Sequence, residues 1–245
     1  MVPKILLLDI ETSPTLAYVW RLFDENISVD QIIEPTRMIC WSGKWYGKKE
    51  VAFSSEWDDG QAGMVEKLHS MISEADAVIT YNGDRFDLPK IKGEFILQGL
   101  PPPPPIPSID LFKTVKKLGY ASGKLAFIAP LLGIGDKVKH EGFRLWSSVL
   151  NGDPKARIRM TRYNKQDVIL LGQLYKTLLP YISNHPFLGS GERLECIHCS
   201  STRLQRRGTR RTKCLVIERL HCQECGAWRD GTQTKVKIHK DHIVE

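Results

Sequence analysis

Four acidic residues in three separate segments have the local context of ligands for one metal site. The first two, Asp9 and Glu11, end the apolar run KILLLDIET of residues 4–12. A run of this length predicts a β-strand, and residues i and i+2 of a strand point to the same face. Two carboxylates on one buried face repel each other unless a cation neutralises them. An exposed acidic strand end is the alternative for this segment taken alone.

The third acid follows a second short apolar strand around Val78 and Ile79. This strand leads into NGDRFD, residues 82–87, where Asn-Gly indicates a tight turn. We therefore expect Asp87 just beyond a strand end, near the start of a helix. Asp84 competes with it for the ligand role, and a turn followed by an ordinary capped helix is the alternative.

The fourth acid lies on a long helix that Asp153 and Pro154 begin, as N-cap and first helical residue. Tyr163 and Asp167 are four residues apart, so they share one helix face, as a catalytic hydroxyl beside a metal ligand requires. Such a pair also occurs on ordinary structural helices. The apolar stripe beside the pair predicts the buried face and comprises Val168, Leu171, Leu174, Tyr175 and Leu178.

The three segments in this order indicate a protein family more specifically than any one of them alone. DxE at a strand end, NxxxFD after a second strand and YxxxD on a late helix together resemble the DEDD exonuclease superfamily, in its tyrosine-bearing branch (DEDDy). Over residues 1–185 the chain is similar to the proofreading exonuclease domain of family B DNA polymerases. The segment KLAFIAPLLGIGDKVKHEG and the C-terminal tail look like those of small exonucleases encoded by bacteriophages and prophages.

The resemblance implies an α/β fold, an RNase H-like mixed sheet flanked by helices, and a two-metal mechanism that releases nucleoside 5′-monophosphates from a 3′ end. Hard oxygen ligands suit two Mg²⁺ or Mn²⁺ ions. Asp9 would bridge both ions, Glu11 and Asp167 would each help to hold one, and Asp87 would act partly through water. Tyr163 would orient the attacking water, because a phenol with an ordinary pKa of about 10 is a poor general base.

Further residues are candidates for binding the substrate. Asn82 and Phe86 match the second motif, which contacts the terminal nucleotide in the family; turn former and core aromatic are the alternatives. Thr12 could donate to the 3′ end or be a plain turn residue. Lys124 precedes an expected helix, whose N-terminus suits a phosphate, or is a solvated surface lysine. Asp110 is expected to cap a helix, with a supporting acid of the site as the alternative.

Paired cysteines distinguish the C-terminal tail. Cys196-x2-Cys199 and Cys222-x2-Cys225 have the spacing of a tetrahedral four-cysteine zinc site, and so small a segment needs a cross-link or metal to fold. We expect a small β zinc ribbon with one structural Zn²⁺; redox cysteines are the alternative. Three neighbours are weaker candidates as substitute ligands: Cys214, His198 and His221.

Positive charge concentrates in the same tail. Residues 193–245 carry 12 Lys and Arg against 6 Asp and Glu, which accounts for +6 of the net charge of +7. Such a cluster binds phosphate without reading sequence, and a solubilising charge run is the alternative. Trp228 could stack on a base or pack against the ribbon. The densest basic run predicts a hairpin loop and comprises Arg203, Arg206, Arg207, Arg210, Arg211 and Lys213.

These patterns divide the chain into an exonuclease domain, residues 1–185, a linker, residues 186–192, and the ribbon, residues 193–245. Six prolines between residues 101 and 107 predict a stiff surface connector inside the first domain, or a polyproline ligand for a partner. No apolar run approaches the roughly 18 residues of a membrane span, and no signal peptide is evident. A soluble protein of the cytoplasm is therefore expected, in a bacterial host if a phage encodes it.

The sequence thus predicts a metal-dependent 3′–5′ exonuclease acting on DNA, with single-stranded ends as its substrate. DNA is favoured over RNA only by the resemblance, because the preference depends on how a pocket treats the 2′-hydroxyl. The ribbon would hold nucleic acid or dock a replication or recombination protein. Two alternatives stay open: a non-catalytic protein that binds nucleic acid through the ribbon, and an RNase H-like endonuclease.

Overall fold

A computed structural model of the chain describes residues 3–191 and 194–235. Three of the predicted segments extend beyond this part. Outside it lie residues 1 and 2 of the predicted exonuclease domain, residue 192 of the predicted linker, and residues 193 and 236–245 of the predicted ribbon.

The chain separates into two compact units. The first comprises residues 4–176, and the described part of the second comprises residues 177–191 and 194–235 with Pro3. The domain boundary expected after residue 185 stays a prediction. In the described ranges, no helix combines the length and the apolarity needed to cross a membrane.

A mixed sheet forms the centre of the first unit. The strands of this unit are β1 (Ile5–Thr12), β2 (Leu16–Ala17), β3 (Ile32–Glu34), β4 (Met38–Trp45), β5 (Ala52–Ser55), β6 (Ala77–Thr80) and β7 (Ser108–Asp110). Five of them form one sheet in the order β5-β4-β1-β6-β7, while β2 and β3 form a separate hairpin. Strand β1 pairs antiparallel with β4 and parallel with β6, so it is the middle strand.

Helices cover both faces of this sheet. They are α1 (Glu56–Ser73), α2 (Asp87–Leu97), α3 (Leu111–Lys117), α4 (Leu125–Leu131), α5 (Phe143–Leu150) and α6 (Pro154–Leu178). One apolar cluster joins Leu6, Leu8 and Ile10 of β1 to α1 and α2. A second cluster joins β4 to α5 and α6. The predicted class, an α/β fold with a mixed sheet flanked by helices, is confirmed.

Alternation along β1 decides which face carries the acids. Because Leu6, Leu8 and Ile10 pack towards α1 and α2, the residues between them point to the opposite face, where α6 lies. The start of α6 is also as predicted, since Asp153 Oδ1 accepts a hydrogen bond from the backbone N–H of Lys155 at 2.8 Å. The predicted apolar stripe of α6 is buried.

The second unit contains a three-stranded antiparallel sheet, ordered β10-β9-β8. Its strands are β8 (Leu204–Arg211), β9 (Leu215–Cys222) and β10 (Trp228–Lys235). The small β unit predicted for the tail is therefore present.

The basic run of the tail is a strand for most of its length, so the predicted hairpin loop is wrong. Strand β8 tolerates its charges because acids of neighbouring segments neutralise several of them. Arg206 lies 3.2 Å from Glu218, and Arg210 pairs with Asp230 at 2.5 Å. Arg206 and Glu218 lie on the paired strands β8 and β9, where opposite charges stabilise a sheet, whereas Arg210 and Asp230 join β8 to β10.

A buried carboxylate fixes the start of β4, and its removal is expected to destabilise the first unit. Glu94 of α2 accepts hydrogen bonds from Met38 N–H at 2.8 Å and from Gln61 Nε2 at 2.9 Å. Glu94→Ala leaves a buried N–H unpaired, so we expect the free energy of unfolding in urea to fall by about 1–3 kcal/mol. Glu94→Gln keeps an oxygen acceptor and should lose less. Equal losses in both variants would contradict the role of the hydrogen bond.

Candidate metal centres

Three carboxylates meet between β1 and α6. Asp9, Glu11 and Asp167 each offer an oxygen, and these oxygens all lie within 4.8 Å of one another. Asp9 and Glu11 occupy alternate positions of β1, as predicted. The helix approaches the strand closely at Gly172, where a Cβ atom would lie 2.9 Å from Leu7 Cδ1. A glycine at this position lets α6 bring Asp167 to the acidic face of β1.

Burial and mutual repulsion make these carboxylates difficult to ionise. Burial, followed by the charge of Glu11, raises the pKa of Asp9 well above its ordinary value. Burial and the charge of Asp167 raise the pKa of Glu11 to about 8. Burial also raises the pKa of Asp167, although the Lys137 ammonium, 2.7 Å from Asp167 Oδ2, opposes the rise. Ionising all three carboxylates would therefore place more negative charge in the group than its surroundings neutralise.

Asp87 lies beside this group but outside it in the described part of the chain. It is the first residue of α2, and its Oδ1 accepts a hydrogen bond from Ile10 N–H at 3.2 Å. Burial raises its pKa to about 6, and its charge contributes to the raised pKa of Asp9. Asp84, the competing acid, forms an ion pair with Lys113 at 2.5 Å. The geometry therefore favours Asp87 over Asp84 as the fourth acid.

Tyr163 presents a neutral hydroxyl next to the acids. Burial, together with the charges of Asp167 and Glu11, raises the pKa of this phenol above its ordinary value. Lys137 Nζ donates a hydrogen bond to the hydroxyl oxygen at 3.1 Å. The ring of His140 meets the tyrosine ring edge-on, with centroids 4.9 Å apart. Tyr163 is therefore held in one orientation and is suited to hydrogen bonding, not to removing a proton.

Two residues at this site were missed by sequence reasoning. Asn164, which is fully buried, donates from Nδ2 to Asp9 Oδ2 at 2.7 Å. Its spacing of three residues from Asp167 on a helix could have revealed it. Lys137 lies outside the regular elements, and no periodicity in the sequence indicates that it reaches Asp167.

Three of the four predicted substrate-binding residues, all except Lys124, lie at or next to the ends of the elements that carry the acids. Thr12 ends β1 at a register shift, and Phe86, 43% exposed, precedes α2, so its alternative as a core aromatic is wrong. Asn82 has a φ of 65°, and its N–H donates to Asp110 Oδ1 at 2.7 Å. Asp110 also caps α3, as expected. Lys124 is exposed at the N-cap of α4.

The acidic group fits a hard divalent cation. Asp167 Oδ1 is buried and has no hydrogen-bond partner among the described residues. An unpaired buried carboxylate oxygen is costly unless a cation completes its coordination. Carboxylate oxygens are the ligands that Mg²⁺ and Mn²⁺ prefer. The group could therefore hold such an ion.

The second candidate centre consists of the four cysteines of the two CxxC pairs. The Sγ atoms of Cys196, Cys199, Cys222 and Cys225 all lie within 4.8 Å of one another. Two of the Sγ–Sγ distances, Cys196 to Cys225 and Cys199 to Cys222, are 3.6 Å. A tetrahedron with Zn–S bonds of about 2.3 Å has S–S edges of about 3.8 Å, so the thiols fit Zn²⁺. Four protein ligands would leave no open position, as in structural sites.

The three weaker zinc candidates are not part of this four-cysteine group. Cys214 is exposed before β9, and His198 Nε2 is 2.9 Å from the backbone oxygen of Ile182. The ring of His221 packs against Trp228 with centroids 4.7 Å apart. Trp228 remains half-exposed, so packing accounts for only part of its surface.

Comparison with known proteins gives one family match. A model of the RNase H superfamily matches residues 34–179, a range that begins after β1. A search of curated proteins finds no match.

Solved structures include similar folds. The family B DNA polymerase from the hyperthermophilic archaeon Pyrobaculum calidifontis has a TM-score of 0.52 and 18% identity, over 73% of this chain and 25% of the polymerase. RNase D of Trypanosoma brucei has a TM-score of 0.45 and 15% identity, over 74% of this chain and 58% of the RNase D chain. The chain thus spans a quarter of the polymerase and little more than half of the RNase D chain. The polymerase likeness shows the fold.

Burial of the acidic group, together with repulsion within it, is expected to make the metal-free protein less stable as pH rises. The pKa of Glu11 is raised from 4.5 to about 8, so the folded state binds more protons than the unfolded state between these values. Stability therefore falls with rising pH over this window. Thermal unfolding in a chelator should show this fall, and Glu11→Gln should make it shallower. Added Mg²⁺ or Mn²⁺ should raise the unfolding temperature most at the upper end of this pH window. A rise that did not depend on pH would contradict the metal site.

Removal of metal from the cysteine site is expected to unfold β8–β10 locally. A unit this small has little core of its own, so metal binding contributes directly to its folding. Hydrogen exchange after treatment with a zinc chelator should show protection lost in β8–β10 and retained in β1. Cys222→Ser should reproduce the loss without chelator, whereas Cys214→Ser should not. Unchanged protection in chelator would argue against a structural metal.

Proposed function

The chain belongs to the RNase H superfamily, and from this premise we propose that it is a divalent-metal-dependent 3′–5′ exonuclease. Its substrate would be DNA with single-stranded ends, and its products nucleoside 5′-monophosphates. One observation carries the proposal: Asp9, Glu11 and Asp167 bring three carboxylate oxygens within 4.8 Å of one another. The fold itself is that of a nuclease, which implies a nucleic-acid substrate.

The acids would hold two Mg²⁺ or Mn²⁺ ions. Asp9, which is close enough to repel each of the other three acids, is the proposed bridging ligand. Glu11 and Asp167 would each help to hold one ion, and Asp87 would contribute partly through water. The ions would supply positive charge that activates the attacking water and stabilises the leaving oxygen.

The protein groups around the acids would position the reactants. Tyr163 would orient the attacking water through its neutral hydroxyl, which Lys137 and the ring of His140 hold in place. Asn164 would fix the rotamer of Asp9 through its 2.7 Å hydrogen bond. These contacts are made within the protein before substrate arrives, so little reorganisation is required during the reaction.

Four residues would bind the end of the strand. Phe86, with its exposed ring, and Asn82 would contact the terminal nucleotide, and Thr12 would donate to the 3′ end. Lys124, at the exposed start of α4, would contact a phosphate. The polymerase likeness favours DNA over RNA.

The cysteine unit would retain substrate near the nuclease. We propose that residues 193–245 fold as a separate ribbon around one structural Zn²⁺, joined by residues 186–192. The basic side chains on and beside β8 would bind phosphate without reading sequence, or dock a replication or recombination protein. A host cytoplasm, bacterial if a phage encodes the chain, is the proposed location.

Loss of a central acid is expected to abolish hydrolysis. Asp9→Ala should lower kcat on labelled single-stranded DNA with Mg²⁺ by about 10²-fold or more, because charge stabilisation at the reacting phosphate is lost. Tyr163→Phe should lower it by a smaller factor, about 10-fold, because only the orientation of water is affected. Asp84→Asn is the matched control, since Asp84 pairs with Lys113 outside the group.

The label position and the substrate topology separate the rival functions. A 3′-labelled strand should release labelled mononucleotide first, and a 5′-labelled strand should shorten stepwise. Asp9→Ala activity equal to that of the wild type would contradict the mechanism. Cleavage of circular single-stranded DNA would identify an endonuclease instead, and binding without Mg²⁺-dependent hydrolysis would identify a non-catalytic binding protein.

A further inference from the structure

The loop between β2 and β3 exposes large apolar side chains to solvent. Tyr18 is 73% exposed, Trp20 94% and Phe23 80%, and the aliphatic side chains of Leu22 and Val29 are also exposed. Several large apolar side chains exposed within one loop are typical of a binding site, since exposing this area to water is unfavourable. We refer to residues 18–31 as the aromatic loop.

Hydrogen bonds within the aromatic loop hold its shape. The Glu25 carboxylate accepts bonds from the backbone N–H groups of Trp20 and Arg21, both at 2.9 Å. The Gln31 side chain donates to the backbone oxygen of Tyr18 at 2.9 Å and to Glu25 at 3.0 Å. Polar groups therefore support the turn from inside, while the aromatic rings point outward.

The aromatic loop follows the acidic strand β1 in the chain, with β2 between them. Ser13, two residues after Glu11, donates its N–H to the backbone oxygen of Arg37 at 2.8 Å, and its Oγ accepts from Arg37 N–H at 3.0 Å. Arg37 is fixed in turn by Glu56 at 2.8 Å. Tyr18 follows Glu11 by seven residues, so an extended chain of at most about 25 Å separates them. The start of the loop is therefore within reach of a strand of a few nucleotides whose 3′ end would lie at the acidic group.

The composition of the aromatic loop suits nucleotide bases. Aromatic rings stack on bases of every sequence, and a neighbouring cation such as Arg21 adds attraction. The acidic residues of the loop would repel phosphates if they were free. Glu25 is engaged within the loop, Asp30 accepts from Ser28 Oγ, and Glu34 at its base lies 3.3 Å from Arg37. Because Asp24, Glu25 and Asp30 outnumber Arg21, the loop is net negative and would bind a strand through the faces of its bases, not through its phosphates.

We propose that the aromatic loop binds unpaired nucleotides of the substrate strand, behind the nucleotide that is removed, by stacking on Trp20 and Phe23. This inference rests on the proposed function and deepens it, because bases in a duplex are already stacked on each other and do not offer free faces to the rings. The loop would therefore give the enzyme its preference for single-stranded ends.

Paired variants test the role of the rings. Trp20→Ala/Phe23→Ala should lower kcat/KM on a single-stranded oligonucleotide by roughly 10- to 100-fold relative to kcat/KM on a dinucleotide, which has only one nucleotide behind the cleaved bond. Leu22→Ala/Val29→Ala removes exposed aliphatic surface from the same loop and should leave this ratio as in the wild type. A ratio unchanged in both variants overturns the proposal. An equal fall in both would show that apolar surface in general, not ring stacking, is responsible, and would overturn it as well.

Binding without catalysis separates this proposal from the proposed function. In a chelator, single-stranded DNA should quench tryptophan fluorescence of the wild type, and Trp20→Phe should show less quenching at similar affinity. Trp20→Ala/Phe23→Ala should bind at least tenfold more weakly. If the wild type bound in this way but hydrolysed nothing with Mg²⁺, the exonuclease function would fail while the loop's role stood. Hydrolysis with equal affinity in wild type and double variant would overturn the loop's role alone.

Discussion

Asp9, Glu11 and Asp167 repel one another because their oxygens lie within 4.8 Å in a partly buried space. Repulsion of this kind raises the proton affinity of each carboxylate and opposes folding unless positive charge enters the group. Lys137 supplies one such charge at 2.7 Å from Asp167. A cation would supply the rest, so the site exchanges some stability of the empty protein for affinity towards a metal.

The fold concentrates these charges by combining two periodicities. A repeat of two residues along β1 places Asp9 and Glu11 on the face that meets α6, while Ile10 packs in the apolar layer on the other side. A repeat near four residues on α6 places Tyr163 and Asp167 on one face. The glycine at position 172 then allows the strand and the helix to approach each other. The acidic group therefore forms where the face of β1 that carries Asp9 and Glu11 packs against the face of α6 that carries Asp167.

Much of the site was predictable because these patterns are local. Strand alternation and helix spacing are properties of neighbouring residues, so the sequence was sufficient to predict that Asp9 and Glu11 share a strand face and that Tyr163 and Asp167 share a helix face. The mixed sheet was predicted from the resemblance to the DEDD exonuclease superfamily. Lys137 escaped prediction because its ion pair depends on tertiary packing of an irregular segment. Strand β4 was not predicted either, although it completes the pairing of β1. The basic run on β8 was mistaken for a loop, because its charges favour solvent until acids of neighbouring strands neutralise them.

The hydrogen bond between Asn164 and Asp9 joins residues 155 positions apart. During synthesis, β1 leaves the ribosome long before α6 has been made, and contacts of such long range form late and slowly. The nascent chain therefore has two acids of the site but neither the third acid nor the asparagine that orients Asp9. The acidic group is therefore assembled only when the first unit is complete, and the hydrolysis proposed for it would be absent from unfinished chains.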